Sequence, residues 1–200
     1  MRRRHAAALL AGSLAGCAFV GPQTLALRER LPTDLPPAVE WRAVPFIAQT
    51  PLHCGPSSLA MVLQHIGRAV SAEALADAVF LPARGGTLQP EMLAGARRYD
   101  AFALTIAPKL EALLREVAAG HPVVVLQNLG LAVAPTWHYA VVVGYDLARE
   151  ELVLRSGLEE RQRMHWRTFE HTWARGGHWA FVALQPGELA VASDEVTTAH

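Results

Sequence analysis

Near Pro122 the hydrophobic pattern changes period, and this change limits the possible folds more than any other feature of the chain. Upstream, apolar residues recur at helical spacing. One run follows Cys54 and reaches about His65, with Gly67 as its terminator. A second begins after the N-cap Ser71 and covers Ala72 to Phe80 before Pro82 stops it. A third, capped by Thr87, passes through Glu91, Leu93 and Ala96 to about Arg98, followed by a short strand from Ala101 to Ile106. A fourth opens at Pro108, carries the stripe Leu110, Leu113, Leu114 and Val117, and closes at Gly120. Downstream the pattern is that of strands: Val123-Val124-Val125-Leu126, His138 to Tyr145, Leu152 to Leu154, Arg161 to His165 and Trp179 to Leu184. A short helix from Thr168 to Arg175, ended by Gly176-Gly177, interrupts the last two. Helices first and strands second predict an α+β domain, an N-terminal helical lobe packed on a C-terminal antiparallel β-sheet.

The 200 residues, 52% of them apolar, suffice for one domain with a real core. That domain is expected over residues 41–185. Before it, residues 17–40 hold Pro22, Pro32, Pro36 and Pro37 and read as a partly stiff tether, and the polar stretch 186–200 reads as a disordered tail.

The amino terminus has a basic segment, Arg2-Arg3-Arg4-His5, then an apolar run from Ala6 to Ala15 that is too short to span a bilayer and fits a secretory signal. Its end, Leu14-Ala15-Gly16-Cys17, resembles the lipobox of bacterial lipoproteins. That resemblance implies cleavage after residue 16, acylation of Cys17 and stable anchoring by several acyl chains. Ala18 after the cysteine favours, by the same analogy, the outer membrane facing the periplasm. The formal charge of the precursor is zero. Removing the three arginines leaves a mildly acidic chain, with no basic face to displace the counterions of nucleic acid.

With Cys17 lipidated, Cys54 has no disulfide partner in an oxidising compartment, so the fold must stand without disulfides. Cys54 opens a helix, where free N–H groups and the macrodipole favour a thiolate. A thiol nucleophile needs an imidazole to exchange its proton, donors for an oxyanion and a group to fix the ring. His138, starting the run His138-Tyr139-Ala140-Val141-Val142-Val143-Gly144-Tyr145, is the candidate base. Gln49, just upstream of the sulfur, is a candidate donor beside the backbone N–H of Cys54. His53 is adjacent in sequence but diverges from Cys54 and is expected only to line the cleft. Trp137, Trp166, Trp173 and Trp179 read as core or groove walls. His165, His171 and His178 match no metal-ligand spacing, and no cofactor is implied.

Gln49, Cys54-Gly55-Pro56 with the helix Ser58-Leu59-Ala60-Met61-Val62-Leu63, and the run His138 to Asp146 together resemble the C39 family of cysteine peptidases, more narrowly its stand-alone C39-like bacterial lipoproteins. The resemblance covers Val44 to Leu184. It implies a papain-like fold, a peptide or protein substrate, a monomer, and catalytic roles for Gln49, Cys54 and His138. The third role departs from the family pattern. C39 enzymes usually carry an Asp on the strand after the histidine strand, where this chain has Arg155-Ser156-Gly157. Ser156 is the first candidate to orient His138, with Asp146 and Asn128 as the others. Hydrolysis of peptide bonds by a Cys54–His138 thiolate–imidazolium pair is the leading expectation. The alternatives are a degenerate module that binds a peptide or protein without cutting it, and a papain-like amidase or acyltransferase.

Overall fold

Two layers of side chains sandwich one antiparallel sheet. The computed structural model of the chain describes residues 20–50 and 52–192; the signal segment and Cys17 lie outside the described residues. The helices are α1 (Pro22–Glu29), α2 (Cys54–His65), α3 (Ala72–Val79), α4 (Gln89–Arg98), α5 (Leu110–Ala118) and α6 (Trp166–Ala174). The strands are β1 (Ala38–Glu40), β2 (Phe102–Thr105), β3 (Val123–Asn128), β4 (Trp137–Asp146), β5 (Glu151–Ser156), β6 (Glu159–His165) and β7 (Ala180–Leu184). The sheet runs β2-β7-β3-β4-β5-β6, and β1 pairs with the far end of β4.

Strands β3, β4, β5 and β7 are buried almost throughout because both faces are covered. Alternate residues serve alternate layers, as the two-residue period of a strand requires. Val124, Tyr139, Val141, Val143 and Phe181 pack with α2, α3 and α4; Val123, Val125, Ala140, Val142 and Val182 pack with α5 and α6. Helix α2 is buried along nine consecutive residues, Gly55 to Leu63, so it is a core helix rather than an amphipathic one. The left-handed Gly67, at φ 81°, follows its last turn. At α3 the expected N-cap forms, with Ala74 N–H donating to Ser71 Oγ at 3.2 Å. At α4 it does not: Leu88 occupies the N-cap position, and Thr87 Oγ1 is buried without a hydrogen-bond partner among the described residues.

The described parts of both expected tails are built into the domain instead. Residues 22–40 are not a tether. The carboxylate of Glu170 on α6 accepts from Gln23 N–H at 2.8 Å, Thr24 N–H at 2.7 Å and Thr24 Oγ1 at 2.6 Å, docking the first turn of α1. An anion suits these orphan N–H groups and the positive end of the helix dipole. Strand β1 then lies along Gly144 to Asp146. A Cβ at residue 144 would collide with the carbonyl of Val39, so this approach requires glycine. At the other end, residues 186–192 are held rather than disordered: Ala107 N–H donates to Ala192 O at 2.9 Å, and Ala192 N–H to buried Glu116 at 2.6 Å.

Candidate active site

A cleft of about 1010 Å³ separates the helical lobe from one end of the sheet. Cys54 reaches it from the first turn of α2 and His138 from the start of β4. The helix begins at Cys54 itself, so the N–H groups of Cys54 and Gly55 have no carbonyl partner within it. Pro56 has no N–H to leave unpaired. Gly55 is demanded by packing, since a Cβ there would lie 2.7 Å from Thr87 Cβ. The turn before α4 can therefore press against the helix and form one wall of the cleft.

Burial pushes the Cys54 thiol above its ordinary value, while backbone N–H groups of Tyr139, Gly55 and Cys54 pull it back part of the way. Burial likewise pushes the His138 imidazole below its ordinary value. Desolvation penalises the charged form of each, and at rest it opposes the charge separation expected from the helix terminus alone.

His138 Nε2 lies 3.0 Å from Ser156 Oγ. The sheet register explains the contact: Val141 pairs with Arg155, so Ser156 stands beside Ala140, on the face of the sheet that His138 also uses. The other two candidate orienters are elsewhere. Asp146 lies at the opposite end of β4 and pairs with Arg149 at 2.6 Å. Asn128 Oδ1 accepts from Gly130 N–H at 3.0 Å and Thr136 N–H at 2.9 Å, shaping the loop between β3 and β4.

Gln49 also lines the cleft, but its amide is engaged within the fold. Its Nε2 donates to Ser58 Oγ at 2.9 Å and Tyr139 O at 3.2 Å, and its Oε1 accepts from Gly157 N–H at 2.8 Å. It thereby ties α2, β4 and the β5–β6 turn together. His53 is not a cleft residue: it bonds Thr50 Oγ1 at 3.0 Å and packs edge-on against Phe80. Trp137 is 55% exposed at the cleft mouth, opposite the even more exposed Leu158. Trp166 and Trp173 are core. Arg84 and Arg175 also line the cleft, and no carboxylate side chain does so among the described residues.

Two residues near the site escape the sequence pattern. Buried Arg155 donates to the carbonyls of Val44 and Glu160, fixing the segment that leads toward the cleft. Gln127 is fully buried on β3, directly opposite His138 in register. Its only trace in the sequence is that a polar residue closes an unbroken apolar run.

Among the described residues no group of three or more His, Cys, Asp or Glu side chains could hold a metal ion, and no helix is long and apolar enough to cross a membrane.

Solved structures share this architecture at 20–23% sequence identity. A C39-like peptidase from Bacillus anthracis aligns with a TM-score of 0.62 at 23% identity, covering 74% of this chain and 98% of its own. The peptidase domain of Streptococcus ComA, a bifunctional ABC transporter of a quorum-sensing pathway, aligns with a TM-score of 0.57 at 20% identity, covering 71% and 99%. A double-glycine-motif protease of an AMS/PCAT transporter, solved with its leader peptide, aligns with a TM-score of 0.56 at 22% identity, covering 70% and 90%. A search of curated proteins found no match. These neighbours show a papain-like fold, and the model of the Peptidase_C39 like family matches residues 42–181. The chain belongs to the Peptidase_C39 like family.

Proposed function

We propose that the chain is a cysteine peptidase in which Cys54 attacks a peptide carbonyl and His138 takes and returns the proton. The observation that carries this reading is the placement of Cys54 and His138, from opposite lobes, on the wall of one cleft. With Ser156 accepting from Nε2–H, the lone pair of His138 lies on Nδ1 and is available to the thiol proton. Burial favours a neutral thiol and a neutral imidazole in the empty cleft, so we place proton transfer at the moment of attack rather than before it. The thiol proton moves to Nδ1 as the C–S bond forms. Nδ1–H then protonates the leaving amine, and water releases the acyl group from sulfur by the reverse path.

The N–H of Cys54 is the first oxyanion donor. Gln49 is the second, its Nε2 exchanging the 3.2 Å contact to Tyr139 O for the oxyanion. A charged acceptor binds such a donor about twice as strongly as a neutral carbonyl, which favours the exchange only once charge develops. Apolar walls including Leu88, Trp137 and Leu158 suit a peptide chain, and one neighbour of the same fold is solved with a leader peptide. We propose in addition that Cys17 carries a lipid that holds the domain at the bacterial envelope.

The test pairs labelling with turnover. Iodoacetamide labelling of Cys54 in the folded protein falls about tenfold or more in His138→Ala, and hydrolysis of a quenched peptide library is abolished in Cys54→Ala. Labelling indifferent to His138 overturns the catalytic pair. Peptide binding without turnover in the wild-type protein establishes the binding module instead.

A further inference from the structure

We propose that Gln127 is a positioning residue for His138, its buried and unpaired Oε1 setting the polarity beside the imidazole where β5 supplies only the uncharged Ser156. Gln127 and His138 are cross-strand partners of β3 and β4, so their side chains leave the sheet side by side on the same face. The amide is pinned in one orientation. Thr172 Oγ1 donates to Phe169 O at 2.9 Å, which leaves it only an acceptor for Gln127 Nε2 at 2.7 Å. Met164 Sδ, 3.6 Å away, receives the same nitrogen. With the nitrogen held on that side, the carbonyl oxygen faces elsewhere, and it is buried with no hydrogen-bond partner among the described residues.

An orphaned amide oxygen in a fully buried side chain is destabilising unless something uses it. The group beside it whose charge changes is His138. Its ring gains a positive charge during proton transfer and has Ser156 as its one hydrogen-bond partner among the described residues. The Ser156 hydroxyl, itself buried, can accept from Nε2–H while keeping its own hydrogen for a further acceptor. An amide dipole in that low-dielectric setting favours imidazolium over imidazole. The other titratable or charged groups lining the cleft are Cys54 on α2, Tyr139 on β4, Arg84 on the turn before α4 and Arg175 after α6. None of these is a carboxylic acid. From β6 and α6 the residues at the Gln127 amide are Met164 and Thr172, which carry no charge.

Only the kinetic arm of the test rests on the peptidase reading. In the full-length protein carrying Cys54→Ala, the His138 titration is followed by the NMR signals of its ring. Gln127→Met lowers the apparent pKa of His138, and Gln127→Glu raises it by about one unit or more. In the Cys54 protein, Gln127→Met lowers kcat about tenfold with KM within about twofold. A His138 titration that moves in neither variant overturns the proposal, as does one that moves in the same direction in both. Should Gln127→Met fail to fold, the Gln127→Glu titration alone decides. A wild-type protein without turnover would count against the peptidase reading while leaving the titration readable.

Discussion

The Nε2 of His138 and the Oγ of Ser156 stand 3.0 Å apart, joining β4 to β5 at the edge of the cleft that holds Cys54. The contact fixes which face of the imidazole is free. It also sets an asymmetry, because a hydroxyl can orient a neutral ring but brings no charge to stabilise a protonated one.

Ser156→Ala therefore removes orientation, and Ser156→Asp adds charge. The alanine variant is expected to lose about tenfold in kcat with little change in KM. The aspartate variant raises the pKa of His138 and retains or exceeds wild-type kcat near neutral pH. Steady-state kinetics across pH, with a fluorogenic peptide found by library screening, checks both. An alanine variant as fast as wild type would show that Ser156 does not orient the ring.

The two burial shifts predict a broad pH plateau. In the proposed mechanism the reactive state holds one proton between Cys54 and His138, wherever that proton sits. Acid removes it by protonating His138, whose pKa lies below the ordinary 6.5, so the acid limb of kcat/KM falls below pH 6.5. Base removes it by ionising Cys54, whose pKa lies above the ordinary 9.0, so the alkaline limb falls above pH 9. The same lowering of His138 has a stability consequence. Between the depressed folded value and 6.5 the unfolded chain binds the extra proton, so stability rises with pH across that window and falls as acid is added. A bell with both limbs between pH 6.5 and 9 would contradict the assignment.

Gln49 separates its structural work from its proposed catalytic work. Gln49→Glu keeps an acceptor for Gly157 N–H but loses the donor, whereas Gln49→Ala loses both. Losing one oxyanion donor costs about 10²–10³ in kcat, so the two variants should fall together in kcat; both also lose thermal stability, the glutamate because its buried carboxylate faces the Tyr139 carbonyl that Nε2 had satisfied. A glutamate variant with wild-type kcat would restrict Gln49 to tying α2, β4 and Gly157.

How much of this was visible in the sequence depends on the range of the interaction. Helix α2 and strand β4 were legible because their apolar runs, Gly67 and the Cys54-Gly55-Pro56 start are local signals. Helix α1 was not: its docking comes from Glu170, 146 residues away from Thr24, and only Thr24 and Leu27 of the helix are buried. Strand β1 is three residues long and owes its conformation to Gly144. Residues 186–192 are held by Glu116, 76 residues from Ala192. At the site, Cys54, His138 and Gln49 could be named from motif. Position after the histidine strand already put Ser156 ahead of Asp146 and Asn128, and the register of β4 against β5 accounts for its contact with the ring.

Glu170 is expected to be a cornerstone of stability rather than of catalysis. Its buried carboxylate satisfies three donors of α1, and Glu170→Ala would strand all of them. The cost should be about 3 kcal/mol in urea-induced unfolding, with the residues before Val44 becoming sensitive to protease first. Glu170→Gln keeps acceptor oxygen but loses the charge, and should cost about half as much.

The docking of α1 also sharpens the proposal for Cys17. If residues 22–40 belong to the domain, only Ala18, Phe19, Val20 and Gly21 separate a lipidated Cys17 from it. Four residues span at most about 14 Å, so the domain would sit against the bilayer surface and its cleft would reach few substrates far from it. Cys17→Ser should move the protein from the membrane to the soluble fraction on fractionation of expressing cells, with peptide turnover by the purified protein unchanged. Inserting a flexible linker of about 20 residues after Gly21 should leave membrane association intact, while widening the set of envelope proteins cleaved in a comparison of proteomes with a Cys54→Ala control. A Cys17→Ser protein that stays with the membrane fraction would refute the lipid anchor, and with it the short leash.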